Sequence, residues 1–223
     1  MLNYVVDPRL LAPLVPPGTE IDFENGETFL SVVGFLFLDT RLLGLPIPLH
    51  RDFEEVNLRF YVRRKSADTW RRGVVFVREL VPKRAIATIA RTFYGEPYLA
   101  VAMKHEIEHV DLRVKVVYSW RRSSKWESLE MTASGEPQSI PAGSHAEFIT
   151  EHYWGYTFFR GGCSEYRVEH PRWKIWNAES FELRADVSSL YGEQFVETLN
   201  ASPRSTFIAE GSPIQVLLRE QLA

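Results

Sequence analysis

The sequence predicts an α+β domain, mostly β, built as a curved or closed antiparallel sheet with a few short helices. Three observations carry this. First, residues 55–62 alternate strictly: Val56, Leu58, Phe60 and Val62 point one way, and Glu55, Asn57, Arg59 and Tyr61 the other. Second, β-like segments recur at 111–120, 126–133, 153–159, 165–169, 173–184, 204–210 and 213–219, interrupted only by short helices around 145–152 and 192–199. Third, 223 residues with 45% apolar and 25% charged content suit one soluble domain spanning 1–223. Closing the sheet would remove exposed strand edges.

The elements follow in order. Asp7-Pro8 reads as an N-cap with proline at the first helical position, opening a short helix through Leu10, Leu11 and Leu14 that Pro16-Pro17-Gly18 stops. Asn25-Gly26 is a strong hairpin signal. An apolar strand runs from about Thr28 to Leu38, and the proline-rich 43–53 reads as a loop. The alternating strand then pairs with RRGVVFVRELV through a tip containing Lys65, Ser66, Ala67, Asp68 and Thr69. Residues 83–94 form the clearest helical pattern, ended by Gly95 and Pro97.

Charge and composition exclude several functions. A formal charge of −3 gives no global attraction to nucleic acid or anionic lipid. Two tips are basic and carry tryptophan: Arg63, Arg64, Lys65, Trp70, Arg71 and Arg72 form one, and Arg121, Arg122, Lys125 and Trp126 the other. They read as charged hairpin ends that blunt edge pairing rather than as a nucleic-acid surface. The longest apolar run, 29–38, is shorter than the roughly 20 residues a spanning helix needs, so no membrane span is expected. Cys163 is the single cysteine, which rules out an internal disulfide and reads as a small apolar packing residue. With no secretory leader in the given sequence, the expected location is the cytoplasm.

His105-Glu106-Ile107-Glu108-His109 matches the zinc-protease pattern H-E-x-x-H. On a helix, the two histidines would lie about 6 Å apart along the axis and could share one metal. On a strand they would be roughly 13 Å apart, beyond what Zn–N bonds of about 2 Å can join. Pro97 before the segment and the strand-like DLRVKVVYSW after it favour a strand turning near residues 109–111. No metal is therefore expected, and a zinc hydrolase is the weakest functional reading. On that strand Leu99, Val101, Met103, His105 and Ile107 share a face, which makes His105 a hydrogen-bonded core histidine.

DPRLLAPLVPPGTEID, FEEVNLRFYV, RGVVFVRE, YGEPY, YWGYTF, VEHPRW and FIAEGSPIQV together resemble the YqjF-like family, which is similar in fold to acetoacetate decarboxylase. The resemblance spans nearly the whole chain. It implies a sheet wrapped around a central cavity, and in many relatives a further N-terminal segment. In the decarboxylases, Gly-x-Pro is followed by two lysines, the first of which forms a Schiff base while the second lowers its pKa. Here Gly95-Glu96-Pro97 is followed by Tyr98 and Leu99, so imine chemistry does not carry over. Lys104 lies about 20 Å along a strand from Tyr98. Lys115 shares a face with Asp111, Arg113 and Ser119, and both lysines read as solvated.

Within such a fold the polar face of Glu55, Asn57, Arg59 and Tyr61 would turn inward and orient a ligand. Arg59 would anchor a carboxylate or phosphate by paired hydrogen bonds. Glu55, Tyr98 and His105 are the candidate acid–base groups. Asn57, Arg59, Tyr61 and Glu79 are candidate substrate contacts, with Tyr153, Tyr156, His170 and Trp173 as candidate chamber walls. The expected partner is a small molecule, an organic acid or related metabolite, bound without a cofactor. The alternative is an enzyme of lyase, isomerase or hydrolase type on the same scaffold. A homo-oligomer is compatible with the sequence.

Overall fold

The computed structural model describes residues 1–38, 41–42, 45–46, 52–67, 69–83, 95–159, 161–217 and 220–222. The helix expected over 83–94 falls almost wholly outside them, as does most of the proline-rich 43–53 segment.

Among the described residues, a 13-stranded sheet forms the body of the fold, and a four-stranded sheet packs against it. At the centre of the large sheet, strand Phe53–Ser66 lies between Thr28–Phe37 and Thr69–Val81, antiparallel to both. The strand path is open rather than a closed ring, and it is not wholly antiparallel. Tyr98–Ala100 and Trp154–Phe159 both add to Thr69–Val81 in parallel. The smaller sheet joins Ala102–Val110, Arg113–Arg122, Lys125–Ser134 and Ser180–Arg184.

The local signals explain the beginning of the chain. Asp7 accepts a hydrogen bond from the Arg9 amide, and Pro8 opens helix Pro8–Leu11. Asn25 and Gly26 take φ of 51° and 84°, the left-handed pair that a two-residue hairpin turn requires.

Both faces of the central strand are buried. Val56, Leu58, Phe60 and Val62 pack with Tyr118, Trp120, Leu129 and Met131 of the small sheet and with Leu190, Phe195 and Leu199 of the short helices at 187–200. The opposite face builds a second core around Phe29, Val33, Tyr61, Val74, Phe148 and Ile149, the last two from helix His145–Thr150. Gly34 allows the two sheets to approach, because a Cβ there would meet the Tyr118 ring at 2.7 Å.

The HEIEH segment is a strand, with its hairpin turn at Asp111-Leu112. The expected continuous strand from Tyr98 breaks at Val101: Tyr98–Ala100 joins the large sheet and Ala102–Val110 the small one. Leu99, Val101 and Met103 still pack on the core, but His105 and Ile107 are exposed, because the hairpin has run past the core by then. No described helix is long and apolar enough to cross a membrane.

Candidate functional site

The polar face of the central strand does turn inward. Glu55 and Asn57 are each 1% exposed, and across the strand pair Asn57 sits opposite Glu79, which is 2% exposed. Glu79 in turn pairs with Tyr98. A β-bulge makes this row possible. Register shifts between Leu58 and Arg59, so that Arg59 faces Phe76 while Leu58 faces Arg78. Regular alternation would have put Phe76 and Arg78 on one face. The extra residue, Val77, turns Arg78 toward the first core and brings Glu79 round beside Asn57.

Glu96, in the turn between Gly95 and Pro97, adds a third buried carboxyl at 3% exposure. Gly95 has φ of 71°, which favours glycine, and the Thr157 hydroxyl donates to its carbonyl at 3.4 Å. Tyr166 completes the group. Its ring lies over Gly155, where a Cβ would come within 2.1 Å of it.

Tyr98 donates to Glu55 Oε2 at 3.0 Å, and Asn57 Nδ2 donates to Glu55 Oε1 at 2.9 Å. Burial pushes Glu55 up to about 7, although these two hydrogen bonds and the nearby Arg59 charge favour its ionised form. Burial also raises Glu96 to about 8; Glu55 adds to this, and Tyr166 and Thr157 oppose it from close by, though neither Glu96 oxygen receives a well-aligned hydrogen bond. Glu79 is raised well above the usual carboxyl range by burial and by the charges of Glu96 and Glu55. Burial and the same carboxyls keep the phenols of Tyr98 and Tyr166 protonated far into alkaline pH. The arrangement is thus a buried cluster of carboxylic acids able to give or take protons near neutral pH.

Arg59 continues the stripe. Its Nη2 donates to the Ile149 carbonyl at 3.3 Å and its guanidinium lies 5.7 Å from the Tyr61 ring centroid. Tyr61 is 4.8 Å, ring to ring, from His152, which no sequence pattern singles out. Burial lowers His152 to about 4, against the opposing effect of Asp22, whose Oδ2 lies 3.2 Å from Nε2. The Tyr61 hydroxyl is 2.7 Å from Ser31, which donates to Asn3, which donates to Ser205.

Other predicted residues lie elsewhere. His105 is not a core histidine: it is exposed and meets Glu54 at 2.8 Å, on the opposite sheet face from Glu55. Its partner in the zinc pattern, His109, lies near Trp176, with ring centroids 6.4 Å apart. Tyr156 is fully buried, but in the first core, where its ring occupies the space left by Gly73. Tyr153, His170 and Trp173 do come together, though only with each other: the His170 ring is 4.8 Å from Tyr153 and stacks on Trp173 at 4.0 Å. His170 also lines a surface hollow with Glu169, Pro171, Pro213 and Ile214. Lys104 is exposed over Trp126, and Lys115 lies 3.5 Å from Glu130. Lys104 is solvated, whereas Lys115 is half-buried beside its partner.

Sequence reasoning missed Glu96, Thr157, Tyr166 and His152. For Glu96 a signal existed, since a charged residue held between Gly95 and Pro97 has little freedom to leave its position.

Solved structures with this architecture share little sequence with the chain. The acetoacetate decarboxylase of Legionella pneumophila aligns over 99% of this chain and 79% of its own, at a TM-score of 0.53 and 14% identity. The enduracididine biosynthesis enzyme MppR complexed with pyruvate aligns over 92% and 79%, at a TM-score of 0.60 and 13% identity. These likenesses establish an acetoacetate decarboxylase-like fold. The uncharacterized protein YqjF of Bacillus subtilis (strain 168) is 31% identical over 188 residues, which is 80% of this chain and 72% of that protein. The sequence pattern of DUF2071, described as an uncharacterized conserved protein family (COG2071), matches residues 1–213, and the chain belongs to that family.

Proposed function

We propose that the protein binds a small organic acid inside the acetoacetate decarboxylase-like scaffold and moves a proton on it through Glu55, without forming an imine. The observation that carries this reading is the Tyr98 hydroxyl on Glu55 Oε2 at 3.0 Å. At the position where the resemblance places the Schiff-base lysine, this chain has a phenol holding a carboxyl raised to about 7. A carboxyl near that value can act as general acid and as general base at neutral pH. Arg59, on the same face two positions beyond Asn57, is the group suited to hold the ligand's carboxylate. Pyruvate, named in the MppR complex, illustrates a small acid on this fold. The lone buried Cys163 suits a reducing, cytoplasmic setting.

Thermal-shift screening of short-chain organic and keto acids tests the reading. Stabilisation by one or more acids is expected, and Arg59→Ala should abolish it; unchanged stabilisation in that variant contradicts the anchor. Borohydride treatment in the presence of each binder should leave the protein mass unchanged, and a reduced covalent adduct would overturn the imine-free chemistry.

A further inference from the structure

The buried cluster holds more hydrogen-bond acceptors than the protein uses. Asn57 Oδ1 and Glu79 Oε2 are buried without a well-aligned hydrogen bond, as are the donor Arg59 Nε and the two oxygens of Glu96, which Tyr166 and Thr157 approach. Buried polar groups are ordinarily satisfied; others without a partner lie elsewhere, among them Tyr156 Oη, Ser164 Oγ and Glu165 Oε2, but four acceptor atoms in one cluster suit an occupant that donates. Asn57 is the decisive member. It is neutral, almost wholly buried, and its Nδ2 is committed to Glu55 Oε1, which leaves its other amide atom in the same cluster as an acceptor. An acidic group can be satisfied by protonation, and the amide oxygen can take its donor either from a protonated neighbour such as Glu79, which sits opposite it, or from a bound N–H group.

The pattern has two chemical ends. Acceptors on Asn57, Glu79 and Glu96 form one, and the guanidinium of Arg59 forms the other. Asn57 and Arg59 are neighbours on one strand face, so their Cα atoms are roughly 7 Å apart. That separation suits opposite charges carried on one small molecule. Among the described residues, no three metal-ligating side chains converge closely enough to hold an ion. An ammonium, with three N–H donors, matches acceptors supplied by three residues.

Resting on the acid–base reading above, we propose that the ligand is a small zwitterion of amino-acid type, its ammonium held by Asn57, Glu79 and Glu96 and its carboxylate by Arg59. The groups facing the ammonium are Glu55 from Phe53–Ser66, Glu79 from Thr69–Val81, Glu96 and Tyr98 from the turn and its strand, Thr157 from Trp154–Phe159, and Tyr166 from Gly162–Glu169. A cation arriving among buried acids favours their ionised form. Binding therefore releases a proton, which the binding of a simple acid would not do.

The test screens the standard L-amino acids against the full chain by thermal shift. For each binder, its decarboxylated amine and its deaminated acid are measured beside it by calorimetry in buffers of different ionisation enthalpy. The expected result is an amino acid that binds at least about tenfold more tightly than either fragment, with a buffer-dependent heat that reports proton release. Asn57→Leu and Glu96→Gln should weaken the amino acid about tenfold and the deaminated acid by clearly less, so that the preference for the amino acid over the acid falls. No binding by any amino acid, an acid fragment that binds as tightly as its parent, or binding without proton release each overturns the zwitterion. In all three cases the organic-acid screen above stands separately: acids that stabilise through Arg59 preserve the acid–base reading, and acids that do nothing remove it too.

Discussion

Glu165 and Glu55 are both 1% exposed and both project from the large sheet, yet their surroundings are opposite. Glu165 lies beside Tyr156 on the side of the first core, where Arg71 forms a close ion pair with it and Arg64 approaches to 3.5 Å. Trp154 supports the pair from beneath, with the Arg71 guanidinium 4.3 Å from its ring centroid. Glu55, on the other face, shares its space with two more carboxyls, two phenols and an amide, and Arg59 reaches it only through space. One buried carboxylate is neutralised by its own chain. The other group is left with surplus acceptors and raised pKa values, an arrangement expected of a site rather than of a structural brace. Four buried acceptor atoms without a well-aligned hydrogen bond lie close to Tyr98, while beside Glu165 the atoms Glu165 Oε2, Ser164 Oγ and Tyr156 Oη also lack one, so the contrast rests on the ion pair that Glu165 has and Glu55 has not.

The largest expected effect separates the two regions by pH. Glu55 and Glu96 are raised above their unfolded values, to about 7 and about 8, so the folded state binds more protons than the unfolded state across that range. The stability these two groups contribute is accordingly fully present below about pH 4.5 and is lost as pH rises through 7 to 8. The fall amounts to several kcal/mol, since each tenfold difference in proton affinity between the two states is worth about 1.4 kcal/mol. Glu96→Gln should remove part of that slope and raise stability at pH 8.5 by on the order of 2 kcal/mol, read from chemical denaturation at a series of pH values. If Glu96→Gln instead weakened the protein as much as an ion-pair deletion, the contrast between the regions would fail.

Arg71→Ala addresses the other side. It leaves Glu165 with only the more distant Arg64, and the expected loss is about 2–3 kcal/mol at pH 7 in urea denaturation, screened in part because Arg71 is itself accessible. A neutral result would mean that Glu165 does not depend on its pair. Tyr98→Phe should have a smaller effect, about 1 kcal/mol, since it removes one hydrogen bond while keeping the ring. Because that bond favours ionised Glu55, the variant should also raise the Glu55 pKa, which a carboxyl-carbon NMR titration would read directly. The smallest effect belongs to His105→Ala. Its contact with Glu54 lies at the surface on the histidine side, where His105 is 41% exposed, so the expected change is under about 1 kcal/mol, with ligand-induced stabilisation unaltered.

Much of the fold was legible because its signals are local. The alternation of 55–62, the Asp7-Pro8 cap and the Asn25-Gly26 turn each act over a few residues, and each appears at its expected position. What failed depended on long-range geometry. No residue pattern announces the bulge at Val77, so RGVVFVREL offered Glu79 as a candidate contact without showing how it comes to lie opposite Asn57. Alternation alone assigns His105 to the core, but alternation does not tell where a hairpin outruns the body it packs on. Tyr166 enters the site because Gly155, on a neighbouring strand, leaves room for its ring, a relation between positions that no periodicity encodes. Glu96 was the omission that local reasoning could have avoided, since the glycine and proline on either side of it fix its place.

The most direct test of the account is the titration of Glu55 itself. In protein carrying carbon-13 at the glutamate carboxyl, one resonance should titrate near pH 7, disappear in Glu55→Gln, and move upward in Tyr98→Phe. If every glutamate carboxyl in the folded protein titrates within the ordinary range below about pH 5, the buried acid–base pair of Glu55 and Tyr98 does not exist as described.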